Sequence, residues 1–140
     1  MTDRMRVTFD PSLATGDPEI DRQHRELFDR LDRLLAAAHE HRSREEVGRT
    51  LAFLGDYVVE HFAAEERLMA LGEYPDAEPH RAQHRGFVRE FEVLYHQFKA
   101  EGPTTLFVIR VGNRVTAWLR EHIYRSDRAL VEHLRSRPHP

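Results

Sequence analysis

Four stretches of this chain repeat at alternating gaps of three and four, and each repeat carries ionisable groups where apolar ones belong. The stripes run Ile20, His24, Leu27, Leu31, Leu34, Ala38; Val47, Leu51, Leu54, Val58, His61, Glu65, Leu68; His80, His84, Phe87, Phe91, Leu94, Phe98; and Val108, Gly112, Val115, Leu119, His122, Ile123, Asp127, Leu130, Leu134. Three–four alternation marks one face of an α-helix turned toward neighbours. Charged and ionisable groups are seldom fully buried unless they are paired or bind metal. Five histidines and two carboxylates on four buried stripes therefore restrict the fold and the chemistry together.

Helix punctuation agrees with the stripes. Asp17-Pro18-Glu19 reads as an N-cap, a first-position proline and a first-turn acid. Ser43-Arg44-Glu45-Glu46 has the form of a capping box. Gly72 and Pro75 stop the second run, and a third begins around Asp76 with Pro79 in its first turn. Gly102-Pro103 ends that run, and Thr104 or Thr105 caps a fourth. The expected helices span roughly 18–41, 44–71, 77–100 and 105–135, behind an extended arm over 1–16 that carries Phe9 and Leu13. Short connections make neighbours antiparallel, so the expectation is an all-α, up-down-up-down four-helix bundle forming a single domain over 1–140.

Composition removes several functions. A formal charge of −3 offers no basic field for nucleic acid. No run of about 18 apolar residues is present to span a membrane, and the N-terminus lacks a secretory pattern, so the cytoplasm is the expected location. The chain has no cysteine, which excludes disulfides, thiolate metal sites and cysteine nucleophiles. The remaining histidines, His39, His41, His96, His133 and His139, read as solvated surface residues.

In an up-down bundle His24, His61, His80, His84 and His122 all fall at one end, near a start, an end, a start and an end. His61 with Glu65, and His80 with His84, are i,i+4 pairs that emerge on one face. Glu66 lies one position off that face and reads as solvated or capping. His122 and Asp127 are five apart, so either the stripe is broad there or a wider turn absorbs one residue. Asp21, three before His24, either orients that imidazole or simply favours a first helical turn. Imidazole-rich ligation with two carboxylates suits a first-row metal pair such as iron better than zinc, calcium or magnesium. If both carboxylates and a hydroxide bridge two octahedral ions, one coordination position is left vacant for a small neutral ligand.

At these residues the chain resembles the hemerythrin family, specifically single-domain bacterial hemerythrins. The matching pieces are IDRQH ending at His24, HFAAE from His61, HRAQH from His80 and WLREHIYRSD ending at Asp127, with their helices covering residues 9 to 134. Phe9 departs from the tryptophan that many bacterial members carry in the arm. The resemblance implies a non-haem di-iron centre that binds dioxygen reversibly. By the same resemblance His80, His84 and His122 hold one iron, His24 and His61 the other, and Glu65, Asp127 and a hydroxide or oxo group bridge them. Leu27, Phe62, Trp118, Leu119 and Ile123 flank these ligands and are candidates for a dry oxygen pocket, although ordinary core packing accounts for them equally well.

The expected role is oxygen storage, delivery or buffering, an oxygen carrier rather than an enzyme. The alternatives are a di-iron oxidase or peroxidase, and an oxygen- or iron-sensing module acting on a separate partner. Ferritin-like di-iron enzymes use Glu-x-x-His motifs, and none lies among these ligands.

Overall fold

The computed structural model of the chain describes residues 7–102 and 104–136, so Pro103, His139 and the first six residues of the arm lie outside the described residues. Four long helical rods account for nearly all of it. They are α1 (Pro18–His39), α2 (Arg44–Leu71), α3 (Ala77–Glu101) and a last rod made of α4 (Thr105–His122), a π turn (Ile123–Asp127) and α5 (Arg128–Ser136). No strand occurs among the described residues.

Three of the four starts follow from a side chain that satisfies free backbone N–H groups. The Asp17 carboxylate accepts from Glu19 and Ile20 at 3.0 Å each. Ser43 Oγ accepts from Glu46 N at 3.2 Å, and Thr104 Oγ1 from Phe107 N at 3.2 Å. Asp76 stands at the N-cap of α3 without a side-chain cap bond.

The ends show chemistry the sequence does not advertise. α1 stops at His39, two residues before the expected 41, because His41 adopts a left-handed conformation (φ 56°) and Arg42 N donates back to Ala37 O at 3.0 Å. At the end of α2 the left-handed residue is Glu73 (φ 49°), while Gly72 has an ordinary φ of −88°. Space at Gly72 is tight: a Cβ there would lie 3.2 Å from Leu68 O and 2.4 Å from Leu134 Cδ2, so the Leu134 side chain would have to move.

α1 packs against α2 and the last rod, and α2 packs against α3. Leu27, Leu31, Leu34, Leu51, Leu54 and Leu119 are among the core residues, each at most 3% exposed. The stripes hold except at α2's end, where Met69 is buried and Leu68 only half-buried; Phe91, Leu94 and Leu134 are also half-buried. α3 and α4 approach less closely. Phe87, Phe91 and Trp118 line a cleft of about 230 Å³ between them, and Arg114 pairs with Glu90 beside it.

The arm is extended over Val7–Asp10 and then makes a short 3-10 turn, Pro11–Leu13, instead of staying extended. Leu13 is buried, Phe9 meets Phe28 edge-on at 6.1 Å, and Val7 N donates to Asp32 at 3.0 Å. Asp21 completes the attachment: its carboxylate accepts from Thr15 N, Thr15 Oγ1 and Gly16 N at 2.8, 2.7 and 3.2 Å. Asp21 thus ties the arm to α1 and does not orient His24.

Candidate metal centre

All seven stripe residues converge. His24, His61, Glu65, His80, His84, His122 and Asp127 are each at most 4% exposed. Their donor atoms form two sets, Glu65-His80-His84-His122-Asp127 and His24-His61-Glu65-Asp127, each with its atoms within 4.8 Å of one another. The two carboxylates belong to both sets.

The split is resolved atom by atom. Glu65 Oε2 faces His61 Nε2 at 2.8 Å and His24 Nε2 at 3.4 Å. Glu65 Oε1 faces His84 Nε2 at 3.1 Å and His80 Nε2 at 3.3 Å. Asp127 repeats the arrangement, with Oδ2 at 3.0 Å from His24 Nε2 and Oδ1 at 3.0 and 3.1 Å from His80 and His122 Nε2. Each carboxylate turns one oxygen toward the three-histidine set and the other toward the two-histidine set: Glu65 Oε1 reaches His80, His84 and, at 4.0 Å, His122, and Asp127 Oδ2 reaches His24.

The fourth rod needs its π turn to do this. The Arg128 N–H bonds Ile123 O, five residues back, so one extra residue is absorbed between His122 and Asp127. Of the two sequence readings for this spacing, the wider turn is the one the chain adopts. Both residues are buried on one face, while Tyr124 in between is 56% exposed.

The donor set fits metal cations. His84 Nε2 and His122 Nε2 lie 3.1 Å apart, a contact in which two ring lone pairs oppose each other unless a proton or a cation intervenes. Both Asp127 oxygens are buried without an aligned hydrogen bond, although three imidazole nitrogens surround them. Buried polar atoms without partners call for a bound ion or water. Electrostatics point the same way. Burial alone would push the Glu65 carboxyl up, yet the His61 charge and bonds from His24, His61 and His80 hold it well below the usual range. Burial would lower His24 and His80, but Asp127 and Glu65 outweigh it and raise both to about 9.

Outside the donors, three imidazoles are held through Nδ1. His61 Nδ1 donates to Gln23 Oε1 at 2.7 Å, His122 Nδ1 to Gln83 Oε1 at 2.8 Å, and His84 Nδ1 to Glu66 Oε2 at 3.0 Å. Ser126 Oγ also donates to Gln83 Oε1, at 2.8 Å. Such partners fix the tautomer that presents Nε2 inward. Sequence reasoning passed over Gln23 and Gln83 and read Glu66 as solvated or capping. The signal was adjacency: each follows or precedes a donor on its own helix and serves a histidine of the next helix. His24 Nδ1 is buried without a partner.

Phe62 stacks on His84 with centroids 3.8 Å apart and planes 5° apart, and Trp118 stacks on His122 at 4.4 Å and 15°. Both rings therefore back the three-histidine side. Leu27, Leu119 and Ile123 are buried in the same core cluster as Phe62. His39, His41 and His96 are exposed. His133 is not solvated as expected: it is half-buried, bonds Gly72 O at 3.0 Å through Nε2, and lies 5.2 Å from the Tyr74 ring.

The model of the hemerythrin HHE cation binding domain matches residues 15–134. The chain belongs to the hemerythrin family. It is 28% identical to the bacteriohemerythrin of Stenotrophomonas maltophilia (strain R551-3) over 130 residues, covering 93% of this chain and 82% of that one. It is 34% identical to the bacteriohemerythrin of Methylococcus capsulatus (strain ATCC 33009 / NCIMB 11132 / Bath) over 113 residues, covering 77% and 80%. A crystal structure of wild-type hemerythrin superposes with a TM-score of 0.75 at 31% identity, covering 86% of this chain and 90% of that one. The cation-binding domain match and the buried His/Glu/Asp cluster together support a non-haem metal site. No helix among the described residues is long and apolar enough to cross a membrane.

Proposed function

We propose that this hemerythrin-family chain binds dioxygen reversibly at two iron ions, serving oxygen storage, delivery or buffering without catalytic turnover. One observation carries the reading: both carboxylates are shared between a set of three imidazoles and a set of two. His80, His84 and His122 would hold one ion, His24 and His61 the other, with Glu65, Asp127 and a hydroxide bridging.

When bound, such a pair supplies reversible electron transfer to a small ligand. The residues decide where that ligand goes. Three imidazoles, two carboxylate oxygens and a hydroxide would fill six positions on one ion, so the open position would fall on the side of His24 and His61, where one imidazole fewer is available. Leu27, Leu119 and Ile123, each at most 1% exposed, keep water from the centre. A dry wall matters because proton delivery would release the reduced ligand and leave oxidised iron. Phe62 and Trp118 hold the saturated side rigid by stacking on His84 and His122.

The test is a visible spectrum of protein loaded with ferrous iron under argon, then exposed to air and returned to argon. A band that appears with air and disappears with argon over several cycles supports the reading. A single irreversible oxidation, or steady consumption of reductant with oxygen, contradicts it, the latter in favour of an oxidase. Azide should bind on the side of His24 and His61; binding beside His80, His84 and His122 would contradict the assignment of the open position.

A further inference from the structure

The three Nδ1 partners are not chemically equivalent. Gln23 and Gln83 offer His61 and His122 a neutral amide oxygen, whereas Glu66 offers His84 a carboxylate. Among the described residues Glu66 is the one acidic partner on the outer nitrogen of a site imidazole. Its side chain is 35% exposed against 2% for His84, so the negative charge sits at the rim and reaches inward through one hydrogen bond. Arg85, which lines the same groove beside Glu66 and His84, is engaged with Glu78 at 2.8 Å.

A carboxylate acceptor strengthens the hydrogen bond, gives the ring partial imidazolate character and makes Nε2 the more basic donor. More basic donors favour the higher oxidation state of the metal they hold. On the opposite side the gradient runs the other way. His61 has only the Gln23 amide, and His24 Nδ1 is buried with no acceptor.

We propose that Glu66 is a positioning residue that lends negative charge through His84 to the three-histidine side, making that side the easier of the two to hold oxidised. The redox part rests on the iron-pair reading above. The hydrogen bond itself does not depend on which metal is bound.

Two measurements on the full chain test this, comparing wild type with Glu66→Gln, which keeps size and acceptor but removes charge, and Glu66→Ala, which removes both. In zinc-loaded, diamagnetic protein, ¹⁵N and ¹H resonances report the ring of each histidine. Glu66→Gln should shift the His84 Nδ1–H signal upfield and leave those of His61 and His122 in place. In iron-loaded protein, spectroelectrochemistry should show the oxidised-to-reduced ratio of the first couple falling at least tenfold at fixed potential in Glu66→Gln, about 59 mV for one electron. Glu66→Ala should match that change and also retain less iron. An unmoved His84 signal would overturn the hydrogen bond's role. A moved signal with an unchanged ratio would overturn the charge effect. A chain that takes zinc but not iron would refute the proposed function and the redox part together, whereas a shifted potential without reversible oxygen binding would refute the proposed function alone.

Discussion

The Phe62 ring lies flat against the His84 imidazole, with centroids 3.8 Å apart and planes 5° apart. Phe62 also meets Phe87 and Trp118, both at 5.8 Å, so one side chain joins a metal-site imidazole to the aromatic packing between α2, α3 and α4. Phe62 is 3% exposed, and Phe62→Ala would open a cavity there. The expected cost is about 3–5 kcal/mol in chemical denaturation of the metal-free protein. Phe62→Leu, which retains apolar bulk, should cost less and still free the His84 ring.

Deleting a residue separates the π turn from ordinary helix. Removing Tyr124 returns His122 and Asp127 to i,i+4 spacing and keeps Leu130 in phase, so the bundle and its metal uptake should survive. Removing Arg120, an exposed residue just before His122 in regular α-helix, turns everything before the cut by about 100° relative to the donors after it. That protein should lose metal or unfold. Metal analysis and circular dichroism of the two deletions check this; equal loss in both would mean the extra residue is itself required.

Asp21→Asn should loosen the arm without touching the metal site. The variant weakens three hydrogen bonds from Thr15 and Gly16, and bonds to a charged acceptor are worth roughly 1.5–3 kcal/mol. Thermal unfolding should report a loss of about that size while metal content stays that of wild type. Metal loss at unchanged stability would instead restore a role in orienting His24.

In the metal-free protein His24 and His80 are raised to about 9 by Asp127 and Glu65 against the opposing effect of burial. A histidine whose folded value exceeds its unfolded value of about 6.5 stabilises fully below that value, and the contribution is lost as pH rises toward the folded one. Metal-free protein should therefore lose melting temperature between about pH 6.5 and 9. Metal binding requires neutral imidazoles, so loading at pH 7.5 should release about two protons from these residues. Melting curves and proton release in weak buffer measure both, and a melting temperature that rises across this window would contradict the ion-pair picture.

The residues that proved legible in the sequence are those whose chemistry conflicts with their stripe. A histidine between apolar neighbours on its stripe, as His24 stands between Ile20 and Leu27, must be buried and must have a reason. Because His122 and Asp127 both had to face inward, their spacing of five left two readings, a broad stripe or a wider turn, and only the folded backbone decides for the turn. What stayed hidden depends on neighbours brought by packing. Glu66 looks solvated until α3 brings His84 to 3.0 Å, and His133 looks exposed until α5 lays it against Gly72 O. The left-handed turns at His41 and Glu73 escaped because neither is glycine, so no residue type announces them. Phe62 and Trp118 were recognisable as neighbours of the centre, but only the packed rings show which side they back.

The central claim is that two ions share Glu65 and Asp127 between unequal sets of imidazoles. Anomalous diffraction from crystals of iron-loaded protein, collected on both sides of the iron edge, tests it most directly. The expected result is two iron peaks per chain about 3.5 Å apart, one beside His80, His84 and His122 and the other beside His24 and His61. A single peak, or a peak present only at the zinc edge, would contradict it.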